Sequence, residues 1–133
     1  AAYNGIQQRA RDSQRSSDLA SINKYIKLYI IDHGSSPASY TGCHRMVSTY
    51  TNCESMSRFD KWTEYSNGNV PADPTNDTTF NYRYYKGWRS DGAGGYIGGG
   101  LSTDYVLMAR LENSNNPSFV FDGITYNYGL SNR

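Results

Sequence analysis

The chain has 133 residues, of which 37% are hydrophobic and 19% are charged, so its length and balance suit one domain with a hydrophobic core of its own. Thirteen Lys or Arg residues oppose twelve Asp or Glu residues, and this balance excludes the strong basic charge that would imply nucleic acid or an anionic membrane as partner. Thirteen Tyr residues against four Phe residues are typical of an extracellular, β-rich protein, because a ring with a polar tip suits a partly hydrated sheet.

The first predicted element is a long helix over residues 1–34. Apolar residues recur at three- and four-residue spacings in its second half, which predicts a face packed on a sheet. The predicted helix-sheet core consists of Leu19, Ile22, Ile26, Tyr29 and Ile30. Gly34 is placed to terminate the helix, and Pro37 prevents its continuation.

The first half of this helix is polar, and its charges alternate in sign. Two interpretations are open: a surface in contact with water, or a surface that pairs charges with like subunits. Both interpretations predict few contacts between this half and the domain's own sheet. The candidate residues for contact between subunits are Arg9, Arg11, Asp12, Arg15 and Asp18.

A connecting region follows the helix, over residues 35 to about 78, and it contains both cysteines. We expect Cys43 and Cys53 to form a disulfide, which in typical cases stabilises by about 2–4 kcal/mol. Two alternatives are free thiols and a zinc site that also draws on His33 and His44. The zinc site has little support because the sequence contains no C-x-x-C pair.

The region from about 79 to 133 is predicted as an antiparallel sheet. Over residues 80–85 aromatic residues alternate with mostly polar ones, and over residues 105–112 one side of a strand would be wholly apolar while the other ends in Arg110 and Glu112, which predicts two half-buried strands. Asp122-Gly123 between two β-prone runs predicts a hairpin. Residues 1–133 are therefore expected to form a single α+β domain, with one long N-terminal helix packed on a small antiparallel sheet.

The residues do not indicate an enzyme, and no catalytic residue or cofactor is predicted. The two histidines, His33 and His44, would each need a pocket and a positioned nucleophile to act in hydrolysis. The Gly-rich segment 90–104 lacks the phosphate-loop motif, so it is predicted as a turn-forming connection. No metal site is predicted either; a calcium ion in this loop would have only Asp91 and Asp104 as ligands.

The chain resembles the type IV pilin superfamily, which includes the pseudopilins of type II secretion. The resemblance is carried by "YNGIQQRARD", by "DLASI" and by the helix end "DHGSSP", followed in order by "VPADPTND", "TFNYRYYKG" and "YVLMARLE". Members of this superfamily begin with an apolar helical stretch that this chain lacks. The chain is thus expected to be the soluble part of a methylated prepilin that a prepilin peptidase has trimmed.

The resemblance implies a structural subunit of an extracellular type IV pilus filament used for adhesion, motility or DNA uptake. Its partners would be other pilin subunits and the pilus assembly machinery, with the missing apolar helix holding it in the inner or cell membrane before assembly. Two alternatives are a type II secretion pseudopilin with the same fold, and an extracellular glycan-binding module that uses exposed Tyr rings for stacking.

Overall fold

A computed structural model of the chain describes residues 2–37, 44–45, 65, 70–121 and 123–133. It confirms the predicted α+β class. In these described ranges, one long helix is followed by eight short strands: α1 (Ala2–His33), β1 (His44–Arg45), β2 (Tyr82–Lys86), β3 (Arg89–Ser90), β4 (Tyr96–Ile97), β5 (Tyr105–Ala109), β6 (Phe119–Phe121), β7 (Ile124–Tyr126) and β8 (Tyr128–Ser131).

The main sheet has four antiparallel strands in the order β1-β2-β5-β8. Strand β5 is central, and its Leu107 lies opposite Tyr84 of β2 and Leu130 of β8. Two further antiparallel pairs, β3 with β4 and β6 with β7, lie outside this sheet. Helix α1 contacts the main sheet chiefly along β5 and β8.

The helix and the main sheet enclose the first hydrophobic core. Leu19, Ile22 and Ile26 of the helix are fully buried there, and Tyr29 and Ile30 pack against its edge. The sheet contributes alternate residues of its two central strands, as the period-two pattern requires. These sheet residues are Tyr82, Tyr84, Tyr105, Leu107 and Ala109.

Several tyrosines are core residues here, whereas composition had suggested partly hydrated positions. Tyr82, Tyr84 and Tyr105 are all fully buried. The Tyr82 hydroxyl donates a hydrogen bond to Asp18, and the Tyr84 hydroxyl donates one to the carbonyl oxygen of Pro37. Each ring can be buried because its polar tip has a partner on the helix or just after it.

The prediction that strand β5 is half-buried is wrong. All five residues of β5 are buried, because a second hydrophobic core covers the sheet on the side away from the helix. Val106 and Met108 project into this core and meet Phe121 and Tyr126 of the β6-β7 hairpin. The hairpin therefore acts as a cover, and the sheet lies between two apolar layers.

The local signals for the helix end and the hairpin are confirmed. Gly34 adopts a φ of 77°, a left-handed conformation that glycine tolerates, and its N–H donates to the Ile30 carbonyl oxygen. Phe121 pairs with Ile124 across the predicted hairpin, and Gly123 adopts a φ of 79°. The Gly-rich segment holds more order than predicted, since it contains the β3-β4 pair.

Some predictions fall on other parts of the chain. Cys43 and Cys53 lie outside the described residues, so their disulfide stays a prediction. Within the described ranges, no helix has the length and hydropathy needed to cross a bilayer.

Candidate assembly surface

The start of helix α1 exposes apolar side chains. Tyr3 is 72% exposed and Ile6 is 63% exposed, and Arg9 is also exposed. Residues three apart lie on neighbouring positions of a helix surface, so these three side chains share one side of its first turns. Large exposed apolar side chains grouped in this way are typical of a surface that contacts another protein.

The next part of the helix corrects an expectation from the sequence. Arg11, Asp12, Arg15 and Asp18 were predicted to make few contacts within the domain, and this prediction is wrong. Loops that are distant in sequence bring carboxylates and backbone N–H groups to these four side chains. Among the five predicted interface residues, Arg9 alone is exposed.

Arg15 lies at the centre of this charge network. Its guanidinium is fully buried, with Nε 2.8 Å from Asp73 Oδ2 and Nη2 3.1 Å from Asp73 Oδ1. Its Nη1 donates to Glu112 at 2.7 Å and to Asp12 at 3.0 Å. The guanidinium also lies over the Phe80 ring, 4.6 Å from its centre. A buried charge with this many partners joins the helix to two loops at once.

Arg11 and Asp12 join the helix to the segment after β5. The Arg11 guanidinium donates two hydrogen bonds to the Glu112 carboxylate, from Nε at 2.6 Å and from Nη2 at 2.7 Å. The Asp12 carboxylate accepts the backbone N–H groups of Glu112 and Asn113, each at 2.8 Å. Hydrogen bonds and ion pairs therefore hold the polar half of the helix against the domain, whereas hydrophobic packing holds the apolar half.

Asp18 closes the network next to the first core. It is 6% exposed and accepts hydrogen bonds from the Tyr82 hydroxyl at 2.7 Å and from Gln14 at 2.6 Å. A buried carboxylate needs such donors to offset its loss of hydration. Polar contacts thus continue along the helix up to the point where Leu19 enters the core.

The network shifts the pKa values of Glu112 and Arg15. Hydrogen bonding from Arg11, followed by that from Arg15, lowers the pKa of Glu112 to about 2 against the opposing effect of burial. Burial lowers the pKa of Arg15, but its hydrogen bonds to Asp73 and Glu112 outweigh burial and raise the pKa overall. Glu112 and Arg15 are therefore both charged at neutral pH.

Acid is expected to loosen this network. The pKa of Glu112 is about 2 in the folded protein against an ordinary value of 4.5, so its stabilisation is complete above about pH 4.5 and is lost as the pH falls through about 2. Urea unfolding at several pH values should show the free energy of unfolding falling across this window. Glu112→Gln should make that fall shallower, and parallel pH profiles for the two proteins would contradict the assignment.

Sequence reasoning missed the partners of the helix charges. Asp73 and Glu112 were not recognised as partners, although Asp73 stands in a turn-forming segment, where its carboxylate accepts the Thr75 N–H at 2.8 Å. Such a turn signal locates an acidic side chain in a loop but does not identify the cation that it meets.

Three of the remaining candidate residues, Asp91, Asp104 and His33, have other partners within the domain. The Asp91 carboxylate accepts N–H groups of its own loop, and Asp104 binds Arg133 and the Leu101 N–H. In the part of the chain that the structure describes, no three His, Cys, Asp or Glu residues are arranged to hold a metal ion. His33 is exposed at the helix end and stacks on the Tyr29 ring.

Comparison of the chain with protein-family models, with curated proteins and with solved structures gives no match.

Proposed function

We propose that this chain is a structural subunit of an extracellular type IV pilus filament, with like subunits and the pilus assembly machinery as its partners. The observation that carries the proposal is the helix itself. It is 32 residues long, its second half is packed on an antiparallel sheet, and its first turns expose Tyr3 and Ile6. A filament subunit needs this combination of a helix held against its domain along most of its length and first turns that are open to neighbours.

In this proposal the first turns of helix α1 and the segment around Arg15 have different functions. The exposed side formed by Tyr3, Ile6 and Arg9 contacts neighbouring subunits. The charge network around Arg15 fixes the helix to its own domain, because several directed bonds hold it against two loops. The network therefore sets the direction in which the exposed turns leave the domain.

The direct test is immuno-electron microscopy of the source cell expressing the full-length gene, with an antibody against this domain. We expect label along filaments outside the cell. Label confined to the periplasm would instead favour a secretion pseudopilus, and diffuse surface label without filaments would contradict the proposal. The codons upstream of this chain should encode an apolar run preceded by a short basic leader.

A pair of variants separates assembly from folding. Ile6→Glu should reduce filaments at least tenfold, because it places a charge on the proposed contact surface. Ile31→Glu is the matched control, since Ile31 is 77% exposed at the other end of the same helix. Both variants of this soluble domain should unfold at the urea concentration of the unchanged domain. Equal loss of filaments in both variants would contradict the proposed surface.

A further inference from the structure

A pocket on the side of the main sheet away from helix α1 is lined mainly by aromatic residues. It has a volume of about 320 Å³ and lies beside the second core, where the β3-β4 pair meets the β6-β7 hairpin. Its lining includes Tyr85, Trp88, Asp91, Tyr96, Phe119 and Phe121. Pockets of this size lined by aromatic groups with few polar ones are typical of small-molecule sites.

The rings around this pocket are inclined to each other. Trp88 and Phe121 lie 4.7 Å apart at an angle of 63°, and Tyr96 and Phe119 lie 5.0 Å apart at 75°. Such edge-to-face contacts between rings hold these side chains in place in the lining of the pocket. A sugar ring would instead require a flat stacking face with hydrogen-bonding groups around its rim.

Asp91 gives the pocket a fixed negative charge. Its Oδ1 accepts the N–H groups of Ala93 at 2.7 Å and Gly95 at 3.0 Å, which orients the carboxylate and lowers its pKa. A Cβ atom at position 95 would lie only 2.8 Å from Asp91 Oδ2, so glycine is what allows the carboxylate to lie so close to the loop. Among the described residues that line the pocket, Asp91 alone is charged.

We propose that this pocket binds a quaternary ammonium group of the choline class. The electron-rich faces of Trp and Tyr rings attract such a cation, and its methyl groups suit apolar walls. Asp91 supplies the opposite charge at the edge of the same pocket. This proposal is independent of the filament function, since none of these residues lies on helix α1.

The test is a titration of the folded domain with choline chloride, followed by NMR through the indole N–H signal of Trp88. The chain has two Trp residues, and Trp88→Phe assigns the signal. We expect a saturable shift with a dissociation constant of about 1–10 mM. The neutral carbon isostere 3,3-dimethyl-1-butanol should bind at least about tenfold more weakly, because it lacks only the charge.

Two variants test the carboxylate. Asp91→Asn keeps an oxygen for the turn but removes the charge, and it should weaken choline binding at least about fivefold. Asp77→Asn is the matched control: Asp77 is also exposed and accepts two backbone N–H groups, from Thr79 and Phe80, but lies outside the pocket. It should leave choline binding unchanged.

A second arm identifies the source of the ammonium group. Flotation with phosphatidylcholine vesicles, compared with phosphatidylglycerol vesicles, distinguishes a lipid headgroup from free choline. Selective flotation with phosphatidylcholine would identify the lipid headgroup as the ligand, and its absence would identify free choline. Equal binding of choline and its neutral isostere, no saturable shift up to about 100 mM choline, or saturation by a neutral sugar alone would each overturn the proposal.

Discussion

Replacing Arg15 with methionine is expected to lower the free energy of unfolding by about 3–5 kcal/mol. Methionine retains much of the side-chain volume, but it leaves the fully buried Asp73 carboxylate without its cation. Glu112 and Asp12 each lose a hydrogen bond in the same change. Urea unfolding at pH 7, followed by circular dichroism, measures the loss.

Arg9→Met is the matched control for this experiment. Arg9 is an exposed residue on the same helix, so its replacement should change the free energy of unfolding by no more than about 0.5 kcal/mol. Adding Asp73→Asn to Arg15→Met should recover part of the stability, because the unpaired buried charge disappears. A loss below about 1 kcal/mol for Arg15→Met would contradict the central position of this residue in the network.

Replacing Ile22 with alanine is expected to cost about 2–5 kcal/mol of stability. Ile22 is fully buried between the helix and the main sheet, in contact with the apolar layer that Leu19 and Ile26 share. Removing three carbon atoms from a packed interior loses the free energy gained by burying them. It also leaves a cavity that neighbouring side chains fill only in part. The same urea titration measures this loss.

Ile6→Ala provides the comparison for this second experiment. Ile6 stands on the same helix but is 63% exposed, so the same substitution should change the free energy of unfolding by no more than about 0.5 kcal/mol. Similar losses at both positions would mean that the first turns of the helix are covered by the domain. That outcome would also remove the exposed surface on which the proposed filament contact depends.

The parts of the fold that local patterns specify could be predicted from the sequence. The spacing of Leu19, Ile22 and Ile26 identified the packed face of the helix because helical periodicity is a property of neighbouring residues. Gly34 and Gly123 were recognisable for the same reason, since the left-handed backbone conformation that both adopt has a short residue signature.

Local patterns did not identify the residues that cover the second core. Strand β5, YVLMA, is apolar on both faces, and a hairpin from later in the chain covers the face away from the helix. Arg83 is fully buried there and donates to the carbonyl oxygen of Phe121. A polar residue in a strand therefore does not have to face solvent, because a backbone group that is remote in sequence can accept its hydrogen bond.

The charge network escaped prediction because its pairs are remote. Arg15 meets Asp73 at a separation of 58 residues and Glu112 at a separation of 97. No spacing rule identifies pairs of side chains that are so far apart in the sequence. The alternating charges of the helix were equally compatible with a solvent-exposed surface and with a surface that contacts another subunit. The same absence of a local signal concealed the aromatic pocket, whose lining comes from β2, the β3-β4 region and β6.

These separations also bear on the order of events as the chain folds. Contacts between residues far apart require long loops to close, so the bonds from Arg15 to Asp73 and Glu112, which lie in loops on either side of β2 and β5, are expected to form late in folding. Until then residues 9–18 are expected to be a charged, hydrated segment that presents little apolar surface to other unfolded chains. The residues that later fasten the helix to its domain would thus protect the newly made protein from aggregation before that domain exists.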